Sequence, residues 1–178
     1  KDVVQLILEH LDPSVELNAR DESGHTAFMV ACSASCASKD VVQLLLERWG
    51  PFIDLNDKKS FGETALMKAC WGGHKDVVKL LLDFSNKIEL NVQGNEGSTA
   101  LILACRHGHK DVVKLLLDHN SSTKIDLNPR DCEGSTALMV ACKKGHKDVV
   151  QMLLDHFTTD IDLNARDNAG RTAIDLAA

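Results

Sequence analysis

The sequence has no long apolar run, no surplus of basic charge and no catalytic or phosphate-binding signature, and each absence removes a class of function. Its longest apolar stretches, such as Val41 to Leu46 broken by Gln43, fall far short of the roughly 20 residues of a membrane-spanning helix. No direct membrane insertion is expected. Lys1 is not followed by the charged, apolar and small-residue order of a secretory signal. A formal net charge of −6 argues against nucleic acid as a partner, because phosphate-backbone binding normally requires a basic domain. Glycine-rich phosphate loops, nucleophile elbows, His-Glu-x-x-His and paired catalytic carboxylates are all missing. No catalytic residue, cofactor site or metal site is therefore expected, and the chain reads as a non-enzyme.

Six cysteines are present, and in a small secreted chain they would suggest a disulfide framework. Their placement argues otherwise. Cys32, Cys70, Cys105 and Cys142 recur at one position of an internal repeat, each after an alanine. Equivalent positions one repeat apart exceed the roughly 7 Å within which a disulfide can close. Reduced, small apolar thiols in a cytoplasmic or nuclear protein are expected.

The repeat is the dominant feature. Asn18, Asn56, Asn91, Asn128 and Asn164 are spaced by 38, 35, 37 and 36 residues, a period that signals a solenoid or propeller. Around each asparagine runs acidic-Leu-Asn, read as a strand, then a polar stretch, a glycine and a Thr-Ala-apolar run. Thr26, Thr64, Thr99, Thr136 and Thr172 are placed to cap a helix. The glycine two residues earlier (Gly24, Gly62, Gly97, Gly134, Gly170) permits positive φ in the turn before it. A short first helix such as 64–71 presents Ala65, Leu66, Ala69 and Cys70 at helical spacing. After a Gly-His-Lys-Asp turn, a second helix such as 75–84 carries Val77, Val78, Leu80, Leu81 and Leu82 around most of its circumference. One partner helix cannot cover so wide an apolar surface, so units must stack into a continuous core. Lys75, Asp76, Lys79 and Asp83 are left for solvent.

Gly62-Glu63-Thr64-Ala65-Leu66-Met67-Lys68-Ala69 and Gly134-Ser135-Thr136-Ala137-Leu138-Met139-Val140-Ala141 resemble the ankyrin repeat, and the resemblance spans essentially the whole chain. Alanine stands at the usual proline, and Met29, Met67, Ile102, Met139 and Asp175 stand at the usual histidine. The resemblance implies an all-α solenoid of stacked helix-turn-helix units with short hairpin-like loops. Expected units are 15–52, 53–87, 88–124 and 125–160, flanked by a lone outer helix at 1–14 and a hairpin with inner helix at 161–178. Apolar residues at the ends (Val3, Leu6, Ile7, Ile174, Leu176) suggest an array that continues past both.

The departures are specific. From the first valine of the second helix to the next asparagine takes 14 to 16 residues, against about 12 in an ankyrin unit. The surplus falls at 49–52, 84–87, 120–124 and 157–160, with Gly50, Asn86 and Asn120 as candidate left-handed caps. The turn 33–38 holds two further residues, with Cys36 where histidine stands elsewhere. Cys32 and Cys36 could face one another on a helix, but one pair of thiols does not make a zinc site.

Eight histidines invite a metal reading. His74, His109 and His146 lie one repeat apart, too far to share an ion, and are expected to hydrogen-bond across the inter-helix turn. His10, His119 and His156 end outer helices, where a protonatable ring suits the dipole.

What remains is surface recognition. The family resemblance implies that hairpin tips and inner helices grip a protein partner on a concave side. Two aromatics depart from consensus there: Phe61 at a hairpin tip and Trp71 at the exposed end of the inner helix. Aromatics beside cations are the usual interface anchors. Lys58, Lys59, Lys68, Arg106, His107, Arg130, Lys143 and Lys144 fall on the same side, with Glu63, Glu96 and Glu133 as fewer counter-charges. A scaffold or adaptor module is expected, monomeric, receiving an acidic and apolar segment. The alternative is a regulatory or ligand-binding ankyrin module beside a catalytic or channel domain, its basic and aromatic residues holding a nucleotide or inositol phosphate. The resemblance also makes Asn56, Asn91 and Asn128 candidates for asparagine hydroxylation.

Overall fold

A computed structural model describes residues 18–33, 38–58, 62–84, 88–119, 124–156 and 160–177. Inner and outer helices alternate: α1 (Ala27–Ala31), α2 (Lys39–Trp49), α3 (Ala65–Gly72), α4 (Lys75–Phe84), α5 (Ala100–Arg106), α6 (Lys110–Asp118), α7 (Ala137–Lys143), α8 (Lys147–His156) and α9 (Ala173–Ala177). Each inner helix packs on the next inner helix and on its own outer helix, while outer helices pack on one another. The result is two parallel columns, the all-α solenoid expected.

The inner helices begin where the threonines place them. Thr64 Oγ1 accepts from the Met67 amide at 3.3 Å, Thr99 from Ile102 at 3.3 Å and Thr136 from Met139 at 3.4 Å. Such a cap contributes about 1 kcal/mol. At the last repeat the cap is reciprocal, because Asp175 accepts from both the Thr172 amide and hydroxyl at 2.8 Å. These bonds hold the Asp175 carboxyl below the usual carboxylate range, the amide of Thr172 first among them.

The inner helices are short and buried nearly all round: Ala65, Leu66, Met67, Ala69 and Cys70 on α3 and every residue from Ala100 to Cys105 on α5 are inside. The outer helices are amphipathic, burying Val77, Val78, Leu81 and Leu82 on α4 while Lys75, Asp76, Lys79 and Asp83 face solvent. Each buried aliphatic side chain contributes roughly 1.5–3 kcal/mol relative to exposure. Cys32, Cys70 and Cys105 are free and buried within this core. Burial pushes the Cys32 thiol up to about 12 and the other two higher still.

Three expectations are corrected. No strand occurs among the described residues, whose one ladder-like contact is an isolated bridge between Arg20 and Thr26. The acidic residues of the Leu-Asn segments instead close Asx turns, with Asp54, Asp126 and Asp162 each accepting from the amide two residues on at 3.0 Å. Gly50 is not a left-handed cap. It sits at φ −48° and opens a 3-10 turn, Gly50–Phe52, in which Pro51 fixes the chain. Glycine is required there for space, since a Cβ would lie 2.1 Å from the Phe84 ring of the next outer helix. Asn86, Asn120 and Cys36 lie outside the described residues.

The third correction concerns the turn histidines. His109 Nε2 lies 3.1 Å from the carbonyl of Trp71 and His146 Nε2 3.2 Å from that of Arg106. They bond to the preceding repeat rather than across their own turn. His74 Nε2 is buried without a partner among the described residues.

The repeated asparagine does the same work on the hairpin side. Asn91 Oδ1 accepts from the Asp126 amide at 2.8 Å while its Nδ2 donates to the Lys124 carbonyl at 2.9 Å. Asn18 clamps Asp54 and Phe52, and Asn128 clamps Asp162 and Asp160, in the same way. Outer helices are laced by Lys75 to Asp111 at 3.1 Å and Lys110 to Asp148 at 3.2 Å. Both pairs are exposed and contribute well under about 1 kcal/mol each.

Candidate interaction surface

The C-terminal ends of α3, α5 and α7 place Trp71, Arg106 and Lys143 at equivalent positions, followed by Gly72, His107 and Lys144. Gly73 ends α3 at φ +72°, a conformation that lets the chain reverse into α4. A Cβ there would lie 2.5 Å from the His109 ring, so the glycine also admits the histidine that reaches back to Trp71.

Trp71 is 47% exposed. Its ring meets His107 edge-on, centroids 5.4 Å apart at 72°, and His107 stacks on His109 at 5.9 Å. Together with the bond from His109 to the Trp71 carbonyl, this makes a closed circuit: the next repeat fixes both backbone and ring of Trp71 while leaving one side of the indole in water. Partial burial, then the charges of His109, Arg106, Lys144 and His146, hold the His107 ring below its usual range. The ring is thus kept neutral at neutral pH and presents an aromatic and polar face rather than a cation.

The cations expected around it divide into two groups. Several are tied into the fold: Arg106 Nη2 donates to Ser98 Oγ at 3.1 Å and to the buried Asp131 carboxylate at 3.0 Å. Arg130 Nη1 donates to the Arg166 carbonyl at 2.6 Å. Lys68 pairs with Glu63 at 3.2 Å and Lys143 with Glu133 at 2.5 Å. The bond from Lys143 holds the Glu133 carboxyl low. Lys58 is exposed, its carbonyl accepting from Arg20. Lys144 is exposed and close enough to act on His107. The structure therefore gathers Trp71, His107 and Lys144, and it makes the face less basic than a charge count suggests. Phe61 and Lys59 lie outside the described residues.

Sequence reading alone did not give the clamping roles of the turn histidines and the asparagines, whose side chains bond across the repeat boundary. The signal was there in the spacing, since bonded partners are separated by nearly one period. Asn56 belongs to the same series, accepting from the Glu89 amide at 3.0 Å. Among the described residues no group of three or more His, Cys, Asp or Glu could hold a metal ion, and no helix is long and apolar enough to cross a membrane.

This stack of capped inner helices, glycine turns and amphipathic outer helices matches the model of ankyrin repeats (3 copies) over residues 38–131 and 121–178. The chain belongs to the ankyrin-repeat family. No curated protein matches it. Ankyrin repeats are generally protein–protein interaction modules and are typically non-catalytic. Within the ankyrin frame, the unit that carries Trp71 is distinguished from its neighbours by an aromatic where the next two place Arg106 and Lys143.

Proposed function

We propose that this ankyrin array is an intracellular scaffold or adaptor module. In this reading, a partner segment bearing acidic and apolar residues docks on the inner-helix face, with Trp71 as its apolar anchor. The observation that carries the reading is the half-exposed indole, held in one orientation by His107 and His109. A preorganised aromatic gives up little conformational entropy on binding, which is what makes such residues dominant at interfaces. Lys144 stands beside it to receive an acidic group. Free, buried thiols support a reducing compartment, cytoplasmic or nuclear. The module acts as a monomer.

The test is affinity capture with the native chain, Trp71→Ala and Lys144→Glu, each first matched for melting temperature. Loss of the same captured proteins from both variants is expected. Identical capture by all three removes the proposal.

A further inference from the structure

We propose that the groove between α3 and the hairpin tip 94–97 receives an arginine side chain of the partner segment, in the position that Arg106 fills one repeat further on. The inference rests on the concave-face reading above and adds a chemical requirement to it.

The groove is lined by Glu63, Met67, Gly94, Asn95, Glu96, Ser98 and Leu103. One repeat later the equivalent positions are Ser98, Ile102, Asp131, Cys132, Glu133, Ser135 and Val140. There the guanidinium of Arg106 bonds Ser98 and Asp131, the counterparts of Glu63 and Gly94. Glu133, the counterpart of Glu96, has its carboxyl held low by Lys143 first and by Arg106 as well. Both partners of that internal pair are replaced at the earlier boundary: Trp71 stands for the arginine and Gly94 for the aspartate. The chain keeps the groove but supplies no guanidinium of its own.

At two other hairpin tips the aspartate of this register pairs within its own tip. Asp21 pairs with His25 at 3.5 Å, and Asp167 takes Arg171 at 2.8 Å. Two of the described aspartates at this register, Asp131 and Asp167, thus hold an arginine.

The chemistry of the groove suits an incoming arginine. Its floor, Met67 and Leu103, is apolar and fits the aliphatic stem, while Glu63 and Glu96 provide acceptors for a planar fork of donors. Glu63 is already paired with Lys68, so the exposed Glu96 supplies the net negative charge. The partner segment then alternates in sign, its arginine on the Glu63 and Glu96 side and its acidic group toward Lys144.

The experiment is an amide-resolved NMR titration of the whole chain with N-acetyl-arginine amide, N-acetyl-lysine amide and the neutral isostere N-acetyl-citrulline amide. Shifts at Gly94, Asn95, Glu96 and Ser98 with the arginine compound alone are expected. Gly94→Asp should tighten that response about tenfold, the gain of one charge-assisted hydrogen bond. Adding Trp71→Arg to Gly94→Asp rebuilds the internal pair, and this double variant should lose the response and melt higher than Gly94→Asp alone. An equal response to citrulline or lysine, shifts centred elsewhere, or an undiminished response in the double variant would each overturn the assignment. A groove silent to all three compounds overturns the assignment as well while leaving the Trp71 reading intact, and unchanged capture by Trp71→Ala beside a responding groove removes that reading alone.

Discussion

Replacing Asn91 by alanine removes two hydrogen bonds that cross one repeat boundary, from the Asp126 amide at 2.8 Å and to the Lys124 carbonyl at 2.9 Å. A net hydrogen bond contributes about 0.5–1.5 kcal/mol, and water can reach both backbone groups, so the loss should total about 1–2 kcal/mol. For a chain of this size each kcal/mol moves the melting temperature by roughly 2–4 °C, giving a fall of about 2–8 °C. Asn164 provides the internal control. It occupies the same register yet makes no inter-repeat side-chain bond among the described residues, only a backbone bond to Asp162. Thermal melts of Asn91→Ala and Asn164→Ala should therefore differ, the second staying close to the native chain. Amide exchange at Asp126 should also quicken in Asn91→Ala. Equal destabilisation by the two substitutions would refute the clamping role and reduce the asparagine to its own turn.

Further outcomes follow from the same geometry. Gly108→Ala should destabilise more than Gly145→Ala in chemical denaturation. Both residues have φ near +70°, which costs about 1–2 kcal/mol for alanine, but only at Gly108 would a Cβ strike a histidine ring, at 2.6 Å. His107, with its folded value held below 6.5, makes the unfolded chain bind more protons as pH falls through that value. Stability should therefore drop on acidification from neutral pH and level off below the folded value, and His107→Gln should flatten this part of the profile. In the native state iodoacetamide should label the exposed Cys132 and spare Cys32, Cys70 and Cys105, whose thiols burial holds protonated.

Much of the fold was legible because local signals repeat in register. Threonine caps, glycines two residues upstream and the apolar circumference of the second helix each state one step of the unit, and five copies agree. The strand reading failed because acidic-Leu-Asn alternates like a strand, while its carboxylate bonds an amide two residues on and closes a turn instead. Gly50 misled in a similar way: a glycine after a helix suggests a left-handed cap, but its small size serves the Phe84 ring from another repeat. The charge count on the inner face also overstated its basicity. Arg106 and Lys143 look available in one dimension, and only the folded chain brings Asp131 and Glu133 to them. Contacts made across the repeat boundary are invisible in a single unit. They become readable once residues one period apart are compared as neighbours.

The most direct test of the central claim, that this array engages a partner at the Trp71 end of its inner helices, is site-specific photo-crosslinking. A photoreactive phenylalanine analogue is placed at position 71, and at Lys114 on the solvent side of α6 as the control. A discrete protein adduct from position 71 but not from position 114 is the predicted result. Adducts of the same proteins from both positions, or from position 114 alone, would contradict the account.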